Sequence, residues 1–198
     1  MEINKLKHRA YEIAVKHGWY EEEKSGLHYA MLVVSEIGEA INADRKGKYA
    51  QRKDFEDRIG DVPPFSAEEH WVSTFDCCIK DTVEDELADT AIRILSLAGH
   101  SQGKLEEKAF SEENFKNGYA AVGHLYAEIE TKNLTLAEEL MLPVKELVDC
   151  FGKGGSMGYV LFLVFFVAYR RGIDLEWFVQ QKMKYNELRP YKHGGKKY

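Results

Sequence analysis

The chain has 198 residues, 44% of them hydrophobic and 30% charged, with a net charge of −6. That length suits one ordinary domain with room for an insertion. The composition excludes a disordered or fibrous chain, and the negative charge argues against a nucleic-acid partner. The charge is uneven: residues 182–198 hold five Lys and one Arg against one Glu, a local +5, so residues 1–181 carry −11. An acidic body with a basic tail suits a metal-bound anion better than a duplex. Three cysteines, Cys77, Cys78 and Cys150, are odd in number and lack zinc-site spacing. With a polar start from Met1 to Arg9, they point to a reducing, cytoplasmic setting. The longest apolar run, Tyr159 to Tyr169, has 11 residues. A membrane span needs about 20, so no membrane partner is expected.

In chain order, Leu6, Ala10, Ile13, Ala14 and His17 make a helical stripe over residues 3–17, ended by Gly18. A second helix is predicted from Gly26 to Arg45, its first half apolar nearly all round and hence buried. Residues 47–80 are poorly patterned, with Gly60, Pro63 and Pro64. They read as a long loop carrying one short helix from Ser66, where Ser-Ala-Glu-Glu resembles a capping box. The third long helix, Asp81 to Gly99, has its core stripe at Leu87, Ala91, Ile94, Leu95 and Ala98, with Glu86, Asp89 and Arg93 on a neighbouring stripe. Ser111 to Glu130 reads as a helix through Phe115, Tyr119, Val122 and Tyr126. Leu136 to Cys150 reads as another, which Pro143 should kink or shorten. Gly152 to Ser156 lacks the spacing of a phosphate-binding loop and reads as a hinge. Met157 to Arg171 is apolar on every side and must be central, with Gly172 as its C-terminal cap. Asp174 then caps a last helix ending near Arg189-Pro190. Nothing alternates with period two, so the chain is predicted to be a single all-α domain, residues 1–198.

Two carboxylate pairs stand out. Glu36 and Glu39 lie at i and i+3 in an apolar run, and so do Glu86 and Asp89. Residues at that spacing share a helix face. Most such pairs are merely solvated, but buried carboxylates cost several kcal/mol unless paired or bound to a cation. The inward stripe of the last helix, Leu175, Phe178 and Val179, continues as Lys182, Asn186 and Arg189. Those groups either cradle phosphate oxygens or pair with the acids structurally. No histidine has a Glu three positions before it, which excludes the ligand pattern of a di-iron bundle. Oxygen-only ligands favour a hard cation, Mg²⁺ or alternatively Mn²⁺. Trp19 and Tyr20 either stack on a base or staple the first turn to the core. His28, His100 and His124 read as ordinary, partly buried histidines, and His193 with its lysines as a mobile basic tail.

Ser-Glu-Ile-Gly-Glu-Ala (35–40), Asp-Glu-Leu-Ala-Asp-Thr-Ala-Ile-Arg-Ile (85–94), Gly-Ile-Asp-Leu-Glu-Trp (172–177) and the stretch from Lys182 to Lys197 together resemble the MazG-like, all-α nucleoside triphosphate pyrophosphohydrolases. This superfamily includes the dimeric dUTPases and the phosphoribosyl-ATP pyrophosphohydrolases. The resemblance implies an antiparallel helical bundle and a metal site of Glu36, Glu39, Glu86 and Asp89. It also implies substrate contacts from Lys182, Asn186 and Arg189, and a homodimer or homotetramer. The chain departs at Ser35, where many members have a second Glu. The two acidic motifs stand 47 positions apart, Glu39 to Glu86, longer than usual, and residues 100–157 form an apparent helical insertion.

The activity this implies is Mg²⁺-dependent cleavage of a (d)NTP to (d)NMP and pyrophosphate, as in house-cleaning of nucleotide pools. Glu36 or Glu39 would be the group that deprotonates water, Lys182 and Arg189 would stabilise phosphate charge, and Trp19 would contact the base. Two other classes compete. One is a catalytically inactive nucleotide-binding or regulatory module acting through residues 100–157. The other is a structural helical oligomer whose acids pair with Arg93 and Lys182.

Overall fold

The computed structural model describes residues 1–60, 67–118, 133–152 and 154–192. Among these residues there are nine α-helices and no strand. They are α1 (Ile3–Lys16), α2 (Gly26–Arg45), α3 (Arg52–Gly60), α4 (Ala67–Cys78), α5 (Val83–His100), α6 (Glu112–Lys116), α7 (Leu136–Gly152), α8 (Met157–Arg170) and α9 (Leu175–Leu188). No helix among the described residues is long and apolar enough to cross a membrane.

Helix α5 is the hub. It packs on α1, α2, α8 and α9, because its stripe of Leu87, Ala91, Ile94, Leu95 and Ala98 is buried. Thr82 starts it, its side chain accepting from the Asp85 backbone N–H at 3.3 Å. This cap leaves Glu84, Asp85 and Glu86 in the first turn, where the helix dipole favours negative charge. Helix α8 is the other central element, buried without interruption from Val160 to Ala168. Gly172 takes φ +70° after it, a conformation that suits glycine at a helix end. Asp174 then caps α9 by accepting from the Trp177 N–H.

Three expectations are corrected. Within residues 47–80 the short helix expected from Ser66 is α4, which begins at Ala67, but the rest is not all loop. The described part holds two helices, α3 and α4. Their order comes from an aromatic stack: Phe55 meets Trp71, Phe75 and Trp177 edge-on, and Phe75 lies flat against Tyr185 at 4.5 Å. Trp71 and Phe75 are one helical turn apart, so the spacing was present but narrow. Ser66 and the prolines lie outside the described residues. Of the helix expected from Ser111 to Glu130, the described residues hold the start, α6, five residues capped by Ser111; Tyr119, Val122, His124 and Tyr126 lie outside the described residues. Helix α7 runs through Pro143 without stopping, because a proline removes one backbone donor while Leu140, Leu142 and Leu147 around it are buried. The first half of α2 is also less buried than its composition suggests: Leu27 and Met31 are each 63% exposed.

Phe75 is fully buried and joins α4 to α9. Phe75→Ala is expected to lower unfolding free energy in urea by about 3–5 kcal/mol while leaving the far-ultraviolet helix signal largely unchanged.

Candidate metal and phosphate cleft

A cleft of about 350 Å³ opens between α1, α2, α5 and α9. All eight residues singled out from the sequence line it: Trp19, Glu36, Glu39, Glu86, Asp89, Lys182, Asn186 and Arg189. They come from four separate stretches, and α5 joins them because both α2 and α9 pack on it.

The acids are not equivalent. Glu36 and Glu86 are buried and Asp89 half-buried, and each offers an oxygen such that the three lie within 4.8 Å of one another. Two oxygens bound to one Mg²⁺ or Ca²⁺ at about 2.1–2.4 Å stand at most about 4.8 Å apart, so the trio fits a hard divalent cation. Glu39 lies at the rim, exposed, and is outside that trio. A second group, Asp81, Asp85 and Glu86, meets the same distance. Asp85 was missed in the sequence, although it stands one turn before Asp89 and therefore on its face.

Lys182 is buried and spans Asp85 and Asp89, its Nζ at 2.7 Å from Asp85 Oδ2 and 2.9 Å from Asp89 Oδ2. Burial alone would push this ammonium down, but Asp89 and Asp85 outweigh it and hold it above the ordinary lysine range. Lys182 is thus engaged with carboxylates rather than turned freely to a phosphate. Arg93 donates from Nε and Nη2 to Glu36 Oε1, both at 2.9 Å. At this end of the cleft the four carboxyls Glu36, Asp85, Glu86 and Asp89 outnumber the two cations paired with them, Arg93 and Lys182, while Lys24, Lys80, Arg189 and Lys192 also line the cleft.

That surplus shows in the protonation energetics. Burial first, then Asp89 and Asp85, push Glu86 up to about 8. Burial pushes Asp85 up to about 6 against the pull of Lys182. Glu36 is raised by burial and by Asp89, with Arg93 opposing. Two buried acceptors, Asp85 Oδ1 and Asn186 Oδ1, have no hydrogen-bond partner among the described residues.

The far end of the cleft is aromatic. Tyr20 and Tyr29 line it with Trp19 and His28. Tyr20 donates to or accepts from Ser96 Oγ at 2.9 Å and stacks on His100 at 4.4 Å. His100 is exposed, and His28 is half-buried at the cleft wall. The basic end is strapped down. His17 Nε2 lies 3.0 Å from the Arg189 carbonyl, and the Lys192 N–H donates to the His17 carbonyl. Tyr191 covers Gly18 so closely that a Cβ there would fall 2.5 Å from its hydroxyl, and Gly18 sits at φ +78°. Lys192, expected in a loose tail, lines the cleft and pairs with Glu21 at 3.4 Å; His193 and the lysines beyond it lie outside the described residues.

Compared with known proteins, the chain matches no family model, no curated protein and no solved structure.

The raised carboxyls carry a sign. Their folded pKa values exceed the unfolded ones, so the folded state retains protons that the unfolded state releases. In chelator, stability should therefore fall as pH rises from about 4 through about 8. Melting temperatures at about pH 6 and about pH 8.5, with and without Mg²⁺, check this. Mg²⁺ should raise the melting temperature more at the higher pH, where the carboxylates it binds are ionised.

Proposed function

We propose that this chain is a Mg²⁺-dependent nucleoside triphosphate pyrophosphohydrolase of the MazG-like type, cleaving (d)NTP between the α and β phosphates. The observation that carries the reading is the Glu36–Glu86–Asp89 trio in a cleft whose other end is aromatic. Along α5, Asp89 and Ser96 are seven residues apart, or about 10 Å at 1.5 Å per residue. That span suits a phosphate chain at the acids and a base near Tyr20 and Tyr29.

Bound at the trio, a hard divalent cation would neutralise and align the triphosphate. Lys182 fixes Asp89 and compensates Asp85, a positioning role rather than the direct phosphate contact expected from sequence. Arg189 and Lys192 stand at the basic rim, ready for phosphate oxygens. Glu39, exposed on the cleft wall and without an ion pair among the described residues, is the better placed of the two glutamates to take the proton of the attacking water. Glu36 is committed to the trio and to Arg93. The homodimer or homotetramer implied by the resemblance would find an apolar face in Leu27 and Met31 of α2 beside Val148 and Phe151 of α7, all exposed.

The structural-oligomer reading has one observation in its favour: Arg93 and Lys182 do pair with acids. Against it, Glu86 is buried yet has no cationic partner among the described residues. A cluster serving stability alone has no use for a buried carboxyl that must keep its proton at neutral pH.

The test is pyrophosphate release from a panel of canonical and modified dNTPs and NTPs. Release should require Mg²⁺. Glu39→Gln should lower kcat by about 10²-fold or more with the melting temperature and the helix signal unchanged. Full turnover in that variant would remove Glu39 from the mechanism. A folded wild type that releases nothing would favour the binding-module reading.

A further inference from the structure

The Arg93 guanidinium sits at the junction of the two halves of the cleft. On α5 it follows Asp89 by one turn and precedes Ser96 by three residues, so it stands between the acids and the aromatic end. Its side chain is 32% exposed while that of its partner Glu36 is 11% exposed. The guanidinium thus has open cleft on one side, whereas the carboxylate is enclosed. Two of its donors converge on one oxygen, Glu36 Oε1. Glu36 is also one of the three ligands that lie within reach of a single cation.

A guanidinium and a divalent cation placed on the same buried carboxylate repel each other and divide its charge between them. Triphosphate oxygens are a strong alternative partner for a two-pronged guanidinium. We propose that Arg93 competes with the divalent cation for Glu36 and is drawn from Glu36 to the phosphate chain when cation and triphosphate arrive together. This rests on the reading of the cleft as a cation and triphosphate site. It adds to that reading a coupling: the cation alone binds against Arg93, and the cation with a triphosphate binds with its help. The cleft thereby favours the pair over either partner.

The coupling separates this role from a prop. An arginine that merely held Glu36 in place would, when removed, weaken the cation and the phosphate alike. The experiment compares wild type, Arg93→Ala and Arg93→Lys. It measures Mn²⁺ binding by electron paramagnetic resonance, then binding of inorganic triphosphate under saturating Mn²⁺ by calorimetry. Neither measurement depends on turnover or on the identity of the base. Arg93→Ala is expected to bind Mn²⁺ alone about three- to tenfold tighter and inorganic triphosphate about tenfold weaker. Arg93→Lys keeps a charged, half-buried chain and guards against misfolding; it should shift both affinities in the same directions by less. Equal or weaker Mn²⁺ binding in Arg93→Ala overturns the proposal and makes Arg93 a prop. Tighter Mn²⁺ with unchanged triphosphate affinity also overturns it, since nothing is then handed over. A wild type that binds no Mn²⁺ sinks the cation reading itself, and the proposal falls with it.

Discussion

Everything in the cleft follows from the cost of burying carboxylates. Glu36, Asp85 and Glu86 are each under a tenth exposed, in a setting where an uncompensated charge is expensive. The fold offsets that cost only in part. Lys182 reaches across from α9 to Asp85 and Asp89, and Arg93 covers Glu36. Removing one partner of such a buried pair costs about 3–5 kcal/mol, so α9 is tied to α5 by charge as well as by its apolar stripe. What is left over is Glu86, a buried carboxyl facing the cleft with no cationic partner among the described residues. A divalent cation bound there would let these carboxyls ionise without asking any further side chain to be buried.

The same constraint explains why the helices pack as they do. Helix α5 needs an acidic face and an apolar face at once. Its core stripe is buried among α1, α2, α8 and α9, and its acids meet Glu36 of α2 and Lys182 of α9. The cap at Thr82 starts the helix so that its first turn carries Glu84, Asp85 and Glu86, and the dipole of the N-terminus lowers the cost of gathering acids there. The Phe75–Tyr185 stack then presses α9 inward from α4 and lays Lys182 over both rings, 5.8 and 5.7 Å from their centroids. The aromatic pair α3 and α4 thus backs the acidic end of the cleft without lining most of it. The strap of residues 189–192 over His17 and Gly18 does the equivalent work for the basic rim.

Two helical features account for what was readable in advance. Period-3.6 stripes marked α1, α5 and α9, continuous apolar runs marked α2 and α8, and Gly18, Gly172 and Asp174 set the ends of α1 and α8 and the start of α9 to within about two residues. Acids and bases that interrupt those stripes marked the cleft, because polar side chains on a buried face must serve something. Of the two helices between residues 47 and 80, α4 was signalled by Ser-Ala-Glu-Glu and α3 escaped. Helix α3 has only Phe55 and Ile59 on its inner face, and two residues do not make a period. Asp85 escaped because its neighbour Glu86 completed a familiar pair, although the i, i+4 spacing to Asp89 carried the signal.

By itself, the sequence determined that the chain is helical, which stripes face inward, and that acids and bases stand on buried faces of α2, α5 and α9. Those are properties of one helix at a time, and spacing alone fixes them. Tertiary structure decided how the charges are shared. It sent Lys182 to Asp85 and Asp89, put Arg93 on Glu36, left Glu86 without a cation among the described residues, and moved Glu39 to the rim. Such pairings depend on distances of a few ångströms between helices far apart in the chain, and no spacing along a single helix encodes them.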